Sequence, residues 1–427
     1  MPAETPLEGT DAVAPSAPAP TGGTAGLAAL RYRDFRLLFL GKAFGWIALH
    51  MVMVAIGYQV YDRTGELMNL AYIGLAIFAP AFGFALVTGY VADLFDRRLV
   101  IAACFAVLLV AALLFLAITL SGMPQVWPVF VVLSVVGTGR AFYQPAANSL
   151  VPNLVPPEMF PNAVAWHTSA NKITQVAGPA IGGVVYLAGP EAVYGTAAAG
   201  FALAFATTLM IRTQTRRTGR GKTTLRVLLA GLRYVYDKKI LFGAITLDLF
   251  VVLLGGVTAL LPVYAKDILE VGPSGAGLLR SAMAAGAVAT GLALTQLAMT
   301  RSVGRILFVS VFVYGAATVV FGFSEAFWLS LLAMATLGGA DMLSVYIRLT
   351  LLQIATPDEM RGRVSAVNSV FTGASNEIGE FRAGTMAALI GTVPAVVFGG
   401  VGSIAVAALF WKLFPGLARV ERMDRTL

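Results

Sequence analysis

The sequence predicts an all-α membrane protein with twelve transmembrane helices in two six-helix halves. Composition carries most of that prediction. Of the 427 residues, 58% are hydrophobic and 12% charged, and mean hydropathy is +0.80, whereas an ordinary soluble domain carries about 25% charge. A chain of this length has room for about twelve apolar stretches of the roughly 20 residues needed to cross a bilayer. Helices suit such stretches because each backbone N–H and C=O in lipid must be satisfied within its own segment. The third observation is that the second half repeats the first.

Residues 1–30 are rich in Pro, Ala, Gly and Thr without an apolar period, which describes a disordered tail. They lack the basic start and apolar core of a signal peptide. Arg31, Arg33 and Arg36 then lead into the first apolar run. Spans are expected at residues 37–61, 69–92, 99–121, 127–151, 161–188 and 193–211, giving an N-terminal half over 31–212. The longest polar interruption, 213–239, falls at the midpoint. Its second part, from Leu225, sets apolar residues at helical spacing among basic ones, the pattern of a helix lying in the membrane interface. Spans at 240–265, 275–300, 305–323, 327–352, 363–389 and 393–413 give a C-terminal half over 240–413, and 414–427 form a second tail.

The net charge of +8 invites a nucleic-acid reading, but the positions of the charges oppose it. With both termini in the cytoplasm, the cytoplasmic segments hold Arg97, Arg98, the cluster from Arg212 to Lys239, Arg301, Arg305, Arg348, Arg361, Arg363 and the basic residues from Lys412 onward. The opposite side holds Arg63 and Lys266. This asymmetry sets orientation by the positive-inside rule and requires an even number of spans. The expected location is the cell inner membrane, as a multi-pass monomer with no nucleic-acid partner. Cys104 lies in an apolar run and cannot form an intramolecular disulfide, being the one cysteine. With two histidines besides, no dedicated soft-metal site and no cofactor are expected.

The repeat is legible at an offset of 201 residues: Pro156, Glu158 and Met159 before span 5 fall on Pro357, Glu359 and Met360 before span 11. Gly178 falls on Gly379 and Gly183 on Gly384. Two parallel repeats with a site near the midplane are one architecture of secondary transporters.

Four places carry chemistry. The hairpin between spans 2 and 3 holds Gly89, Asp93, Asp96, Arg97 and Arg98, so that Asp93 beside a basic pair could latch one conformation and release the other. Its counterpart around Arg301 and Arg305 lacks the aspartate. In span 4, Arg140 is too deep in lipid to be tolerated without a cavity or a carboxylate; at the same offset its counterpart is Asp341 in span 10. Span 5 contains Gly178, Pro179, Gly182 and Gly183, where proline removes a helix hydrogen bond and the glycines permit close packing, a hinge-like combination. Span 11 places Glu377 and Glu380 three residues apart on similar helix faces.

A carboxylate removed from water holds its proton more tightly, as a proton carrier must. This makes Glu380, Glu377 and Asp248 the proton-coupling candidates, with Asp341 as a further one and Arg140 as a modulator. Candidates to line a substrate cavity are Lys42, Trp46 and His50 in span 1, Phe142 and Tyr143 in span 4, Asn171 and Lys172 in span 5, Arg280 in span 8, and Asn376 and Arg382 in span 11. For His50 and the aromatics the plainer alternative is helix packing, and for Arg280 and Arg382 it is a structural ion pair.

The hairpin resembles the Gly-x-x-x-Asp-x-x-x-Arg-Arg signature of the major facilitator superfamily. In that superfamily the aspartate grips the start of helix 11 in the outward-facing state, which here means Arg361 to Arg363. Arg140 resembles the helix-4 basic motif associated with proton transfer. The span-5 residues resemble the antiporter signature of drug and metabolite exporters, with Thr174 in place of its first glycine. Together with Arg33 to Leu38 and Leu352 to Arg363, these motifs are similar to the branch related to the bacterial enterobactin exporter, over about residues 30–415. The resemblance implies alternating access and proton-driven export of a siderophore, drug or amphipathic metabolite, with protons and the lipid bilayer as partners. A lysophospholipid flippase or importer of the same fold, and a non-transporting receptor, are the competing readings. An enzyme is not expected, and the absence of a phosphate-binding Gly-x-x-x-x-Gly-Lys-Ser/Thr loop argues against an ATP-driven pump.

Overall fold

All regular elements among the described residues are helical. The structure, a computed structural model, describes residues 27–213, 225–296 and 302–421. Six long helices make the first half: α1 (Arg33–Thr64), α2 (Leu67–Leu94), α3 (Arg97–Leu120), α4 (Trp127–Leu150), α5 (Phe160–Val185) and α6 (Pro190–Leu209). The amphipathic α7 (Leu225–Asp237) follows. The second half contains α8 (Lys239–Gly255), the one-turn α9 (Leu261–Val263), α10 (Gly272–Gln296), α11 (Val303–Phe323), α12 (Phe327–Ile354), α13 (Asp358–Ile390), α14 (Thr392–Leu413) and the short α15 (Pro415–Ala418). Among the described residues nine helical stretches are long and apolar enough to cross a membrane. The other three long helices, α4, α5 and α13, stand where spans 4, 5 and 11 are expected. Among their residues are Arg140, Lys172, Glu377 and Glu380.

Two separate apolar cores hold the halves. Phe35, Phe105, Phe115, Tyr194 and Phe201 lie in the first, and Leu247, Tyr264, Phe308, Phe321 and Leu337 in the second. α7 packs on the second half: the Tyr234 hydroxyl donates to the Ala355 carbonyl at 3.1 Å, and Gly231 lies against the Arg363 backbone. The membrane face that carries α7 is termed the linker side below, and the opposite face the far side.

The 201-residue repeat is visible in packing. A Cβ on Gly178 would strike His50 of α1, and one on Gly379 would strike Val252 of α8, each within its own half. A Cβ on Gly183 would strike Pro273 and Gly277 at the start of α10, and one on Gly384 would strike Ala71 of α2, each in the opposite half. Equivalent glycines therefore make equivalent contacts, and small residues let the backbones approach. The helix runs on through Pro179.

Two expectations need correction. Span 7 is not one continuous helix: α8 stops at Gly255, Gly256 takes a non-helical conformation, and a 3-10 turn follows at Val257–Leu260. The carbonyls freed by the break are recovered by Arg382, whose Nε donates to Leu253 O at 2.9 Å and whose Nη2 donates to Leu254 O. Arg348 is not a loop charge that reports orientation, because it is 2% exposed and pairs with Asp248 at 3.1 Å. Arg97 and Arg98 reach neighbours in their own half: Arg97 donates to Ser149 O at 2.9 Å and Arg98 to Ile211 O at 2.6 Å, near the linker-side ends of α4 and α6. Such carbonyls have no partner within their own helix, and a cation there also complements the helix dipole. Asp96 caps α3 by accepting from the Arg98 amide at 3.0 Å.

The side chain of Asp93 and the packing at Gly89 lie outside the described residues, as do residues 1–26, 214–224, Arg301 and 422–427.

Candidate functional site

A cavity of about 430 Å³ lies where the two halves meet. α1 contributes Trp46 and His50, α4 Arg140, and α5 Lys172, Gln175 and Pro179. The second half contributes Thr258, Arg280 of α10, Asp341 of α12, and Asn376, Glu377 and Glu380 of α13. The cavity is polarised as a result. Its first-half wall is basic, and all three of its carboxylates stand on the second half, beside Arg280.

Most of these charges have no direct partner among the described residues. Arg140, Lys172, Arg280, Asp341 and Glu377 make no hydrogen bond or ion pair among the described residues. Glu380 accepts from the Thr258 hydroxyl at 2.7 Å. Glu377 lies in the field of Glu380 and Arg280 of its own half and of Arg140 across the cavity, and Asp341 in that of Asp248 and Arg348 of its own half and of Lys172 across the cavity. The offset of 201 thus brings Arg140 and Asp341 to one cavity without pairing them, and Arg140 faces Glu377 instead. Charges kept apart within a low-dielectric wall attract a polar ligand strongly, since each is costly to leave uncompensated.

The far side of the cavity is closed. A Cβ on Gly57 would lie 3.3 Å from Pro262, and the Ser281 hydroxyl donates to Val176 O at 2.7 Å. Beyond them a clasp joins the end of α1 to the π-helical turn Tyr264–Ile268: the Tyr61 hydroxyl donates to Asp267, and Lys266 pairs with Asp62 at 2.8 Å. Nearer the linker side, Gly83 of α2 and Gly373 of α13 face open space.

Several expected cavity residues are placed elsewhere. Lys42 is fully buried and donates to His167 O at 2.8 Å. Tyr143 packs between Trp46 and Phe105, and Phe142 against Phe84. Asn171 does not line the cavity; its carbonyl accepts from Thr174 at 3.0 Å. Arg382 serves the break after α8. Asp248 is tied to Arg348, which also donates to Asn368 and to Thr372, the latter at 3.1 Å. Sequence reasoning missed Thr258, Gln175 and the clasp at Tyr61 and Asp267. The Gly255 and Gly256 pair was the available signal for Thr258, since adjacent glycines in an apolar run weaken the helix.

Residues 24–425 match the family described as transmembrane secretion effector. The chain belongs to that family, within the major facilitator superfamily. Macrolide efflux protein A of Streptococcus pyogenes is 23% identical over 407 residues, covering 92% of this chain and 99% of that protein. The enterobactin exporter EntS of Citrobacter koseri is 25% identical over 394 residues, covering 91% and 93%. Among solved structures, a bacterial homologue of the iron transporter ferroportin in an inward-facing state matches with TM-score 0.69 at 17% identity, over 91% of this chain and 99% of that one. A peptide transporter matches with TM-score 0.72 at 12% identity, over 91% and 95%. The chain is a multi-pass membrane transporter of major facilitator type, and its family and relatives are transporters rather than enzymes.

Proposed function

We propose that this protein is a proton-coupled exporter that moves an amphipathic small molecule, of the siderophore or drug class, out of the cytoplasm by alternating access. In this reading both termini and α7 lie in the cytoplasm, the far side faces outward from the cell inner membrane, and the working unit is a monomer. The observation that carries it is the polarised cavity between the halves, closed on the far side, with uncompensated cations on one wall and carboxylates on the other. Such a wall can hold a ligand and a proton in competition, because a proton on Glu377 removes the charge that faces Arg140 and Arg280. The two relatives that export a macrolide and enterobactin, by their names, support the substrate class and the direction.

The test is export of a panel of siderophores, macrolides and cationic dyes from cells and from inverted vesicles, with the proton gradient intact and collapsed. Loss of export on collapse is the expected result. Export that ignores the gradient would overturn proton coupling. Movement of lysophospholipid alone, with no panel member exported, would replace the exporter by a flippase.

A further inference from the structure

Behind the main cavity, inside the second half, lies a recess of about 70 Å³. Its polar lining is Thr258, Tyr314, Asp341, Asn376 and Glu380, five oxygen-bearing side chains drawn from the turn after α8 and from α11, α12 and α13. The recess exists because α8 breaks. Gly256 lets the chain approach the Gly379 carbonyl, and the 3-10 turn Val257–Leu260 then brings Thr258 to Glu380.

Tyr314 is the unexplained member. It is 7% exposed, its hydroxyl rests against Gly255, and that hydroxyl makes no hydrogen bond among the described residues, although the Tyr314 carbonyl accepts from Thr318 at 2.9 Å. A buried polar group without a partner costs about 1–3 kcal/mol, so its hydroxyl needs an acceptor within the recess. One water needs roughly 10–15 Å³ of such space, so the recess has room for water. Two carboxylates open on this small space, and a proton shared between them lowers the negative charge it must hold by one.

We propose that this recess is a proton-holding site beside Glu377: Glu380 and Asp341 share one proton through water, Tyr314 fixes that water, and Glu377 faces the main cavity. The inference rests on the proton-coupled reading above. Loading takes one proton from water and lowers the negative charge of the pair by one; unloading returns it to water. The charges that face the pair are Glu377 on its own helix, Lys172 of α5, the Asp248 and Arg348 pair, and Arg382 near Tyr314. Of these, Lys172 alone belongs to the other half. Protonation therefore weakens an attraction across the cavity and leaves the charges within the second half in place, which links occupancy to the separation of the halves.

The test is an infrared pH titration of the full chain in detergent, reading the C=O band of protonated carboxyl groups in H2O and D2O. The wild type is expected to show such a band, with Asp341→Asn and Glu380→Gln each removing or shifting it. Tyr314→Phe, which keeps the ring and hence the packing, is expected to move its frequency and titration midpoint even if the carboxyl variants fold poorly. No protonated band in the wild type, or a band untouched by Tyr314→Phe and Asp341→Asn, would overturn the proposal. A midpoint that follows sodium concentration at fixed pH would overturn it in favour of an alkali-cation site. The readout needs no substrate, so its failure is separate from failure of gradient-driven export.

Discussion

Arg348 pairs with Asp248 at 3.1 Å in the interior of the second half, with 3% and 7% of their side chains exposed. The pair ties α12 to α8, and the same guanidinium reaches Asn368 and Thr372 of α13. Three helices thus meet at one cation, outside the cavity. Arg348→Met should strand the Asp248 carboxylate and cost about 3–5 kcal/mol, read as a lower thermal unfolding midpoint in detergent. The double variant Arg348→Met with Asp248→Leu should recover most of that loss, since an apolar pair of similar volume removes the uncompensated charge. A double variant no more stable than the single one would refute this account.

The glycines of α5 divide by what they touch. Gly183→Leu should hinder closure of the far side, because its side chain would enter the backbone at Pro273 and Gly277 of the opposite half. Gly178→Leu should instead strain the first half alone, at a cost of about 1–3 kcal/mol for overpacking. Distances between spin labels on the two halves at the far side should lengthen for the first variant and stay put for the second.

The far-side clasp should be unequal in its parts. Lys266 and Asp62 are 34% and 44% exposed, so Lys266→Ala should shift the conformational balance by about 0–1 kcal/mol. The Tyr61 hydroxyl donates to a charged carboxylate in a partly buried place, and Tyr61→Phe should shift it by about 1.5–3 kcal/mol. Single-molecule distance measurements across the far side would rank the two, and a larger effect at Lys266 would contradict the assignment.

Glu377→Gln and Glu380→Gln should uncouple export from the proton gradient while leaving expression intact. A coupling between proton and substrate of about 1–3 kcal/mol corresponds to roughly 5- to 150-fold in affinity. Substrate binding measured across pH should therefore lose most of its pH dependence in each variant. Unaltered pH dependence in both would remove these residues from the coupling scheme.

Much of the fold was legible because lipid imposes simple rules on length and apolarity, and because Gly178 and Gly183 repeat as Gly379 and Gly384. The cavity carboxylates Glu377, Glu380 and Asp341 were legible for a related reason, since charge within an apolar run needs a purpose. What stayed hidden depends on partners distant in sequence. Arg348 reads as a loop charge until Asp248, 100 residues earlier, is seen beside it. Arg382 reads as a cavity cation until the break after Gly255 supplies carbonyls for it. Lys42 looks like a ligand group, but the His167 carbonyl satisfies it. Tyr61 and Asp267 carry no local pattern at all, because a contact between the ends of α1 and the seventh span follows from how the halves lean together.

The contacts of Gly183 with Gly277 and of Gly384 with Ala71 have a mechanical meaning as well. Where main chain rests on main chain there are no rotamers to unlock and no side-chain hydrogen bonds to exchange, so these two contacts act as bearings, adding little to the barrier for rocking. The difference between the two end states is then left to the clasp and to the charges around the cavity, the parts that a proton or a substrate can alter. A ligand shifts an equilibrium only by its differential interaction with the two states, and smooth bearings allow a modest difference to move the whole molecule.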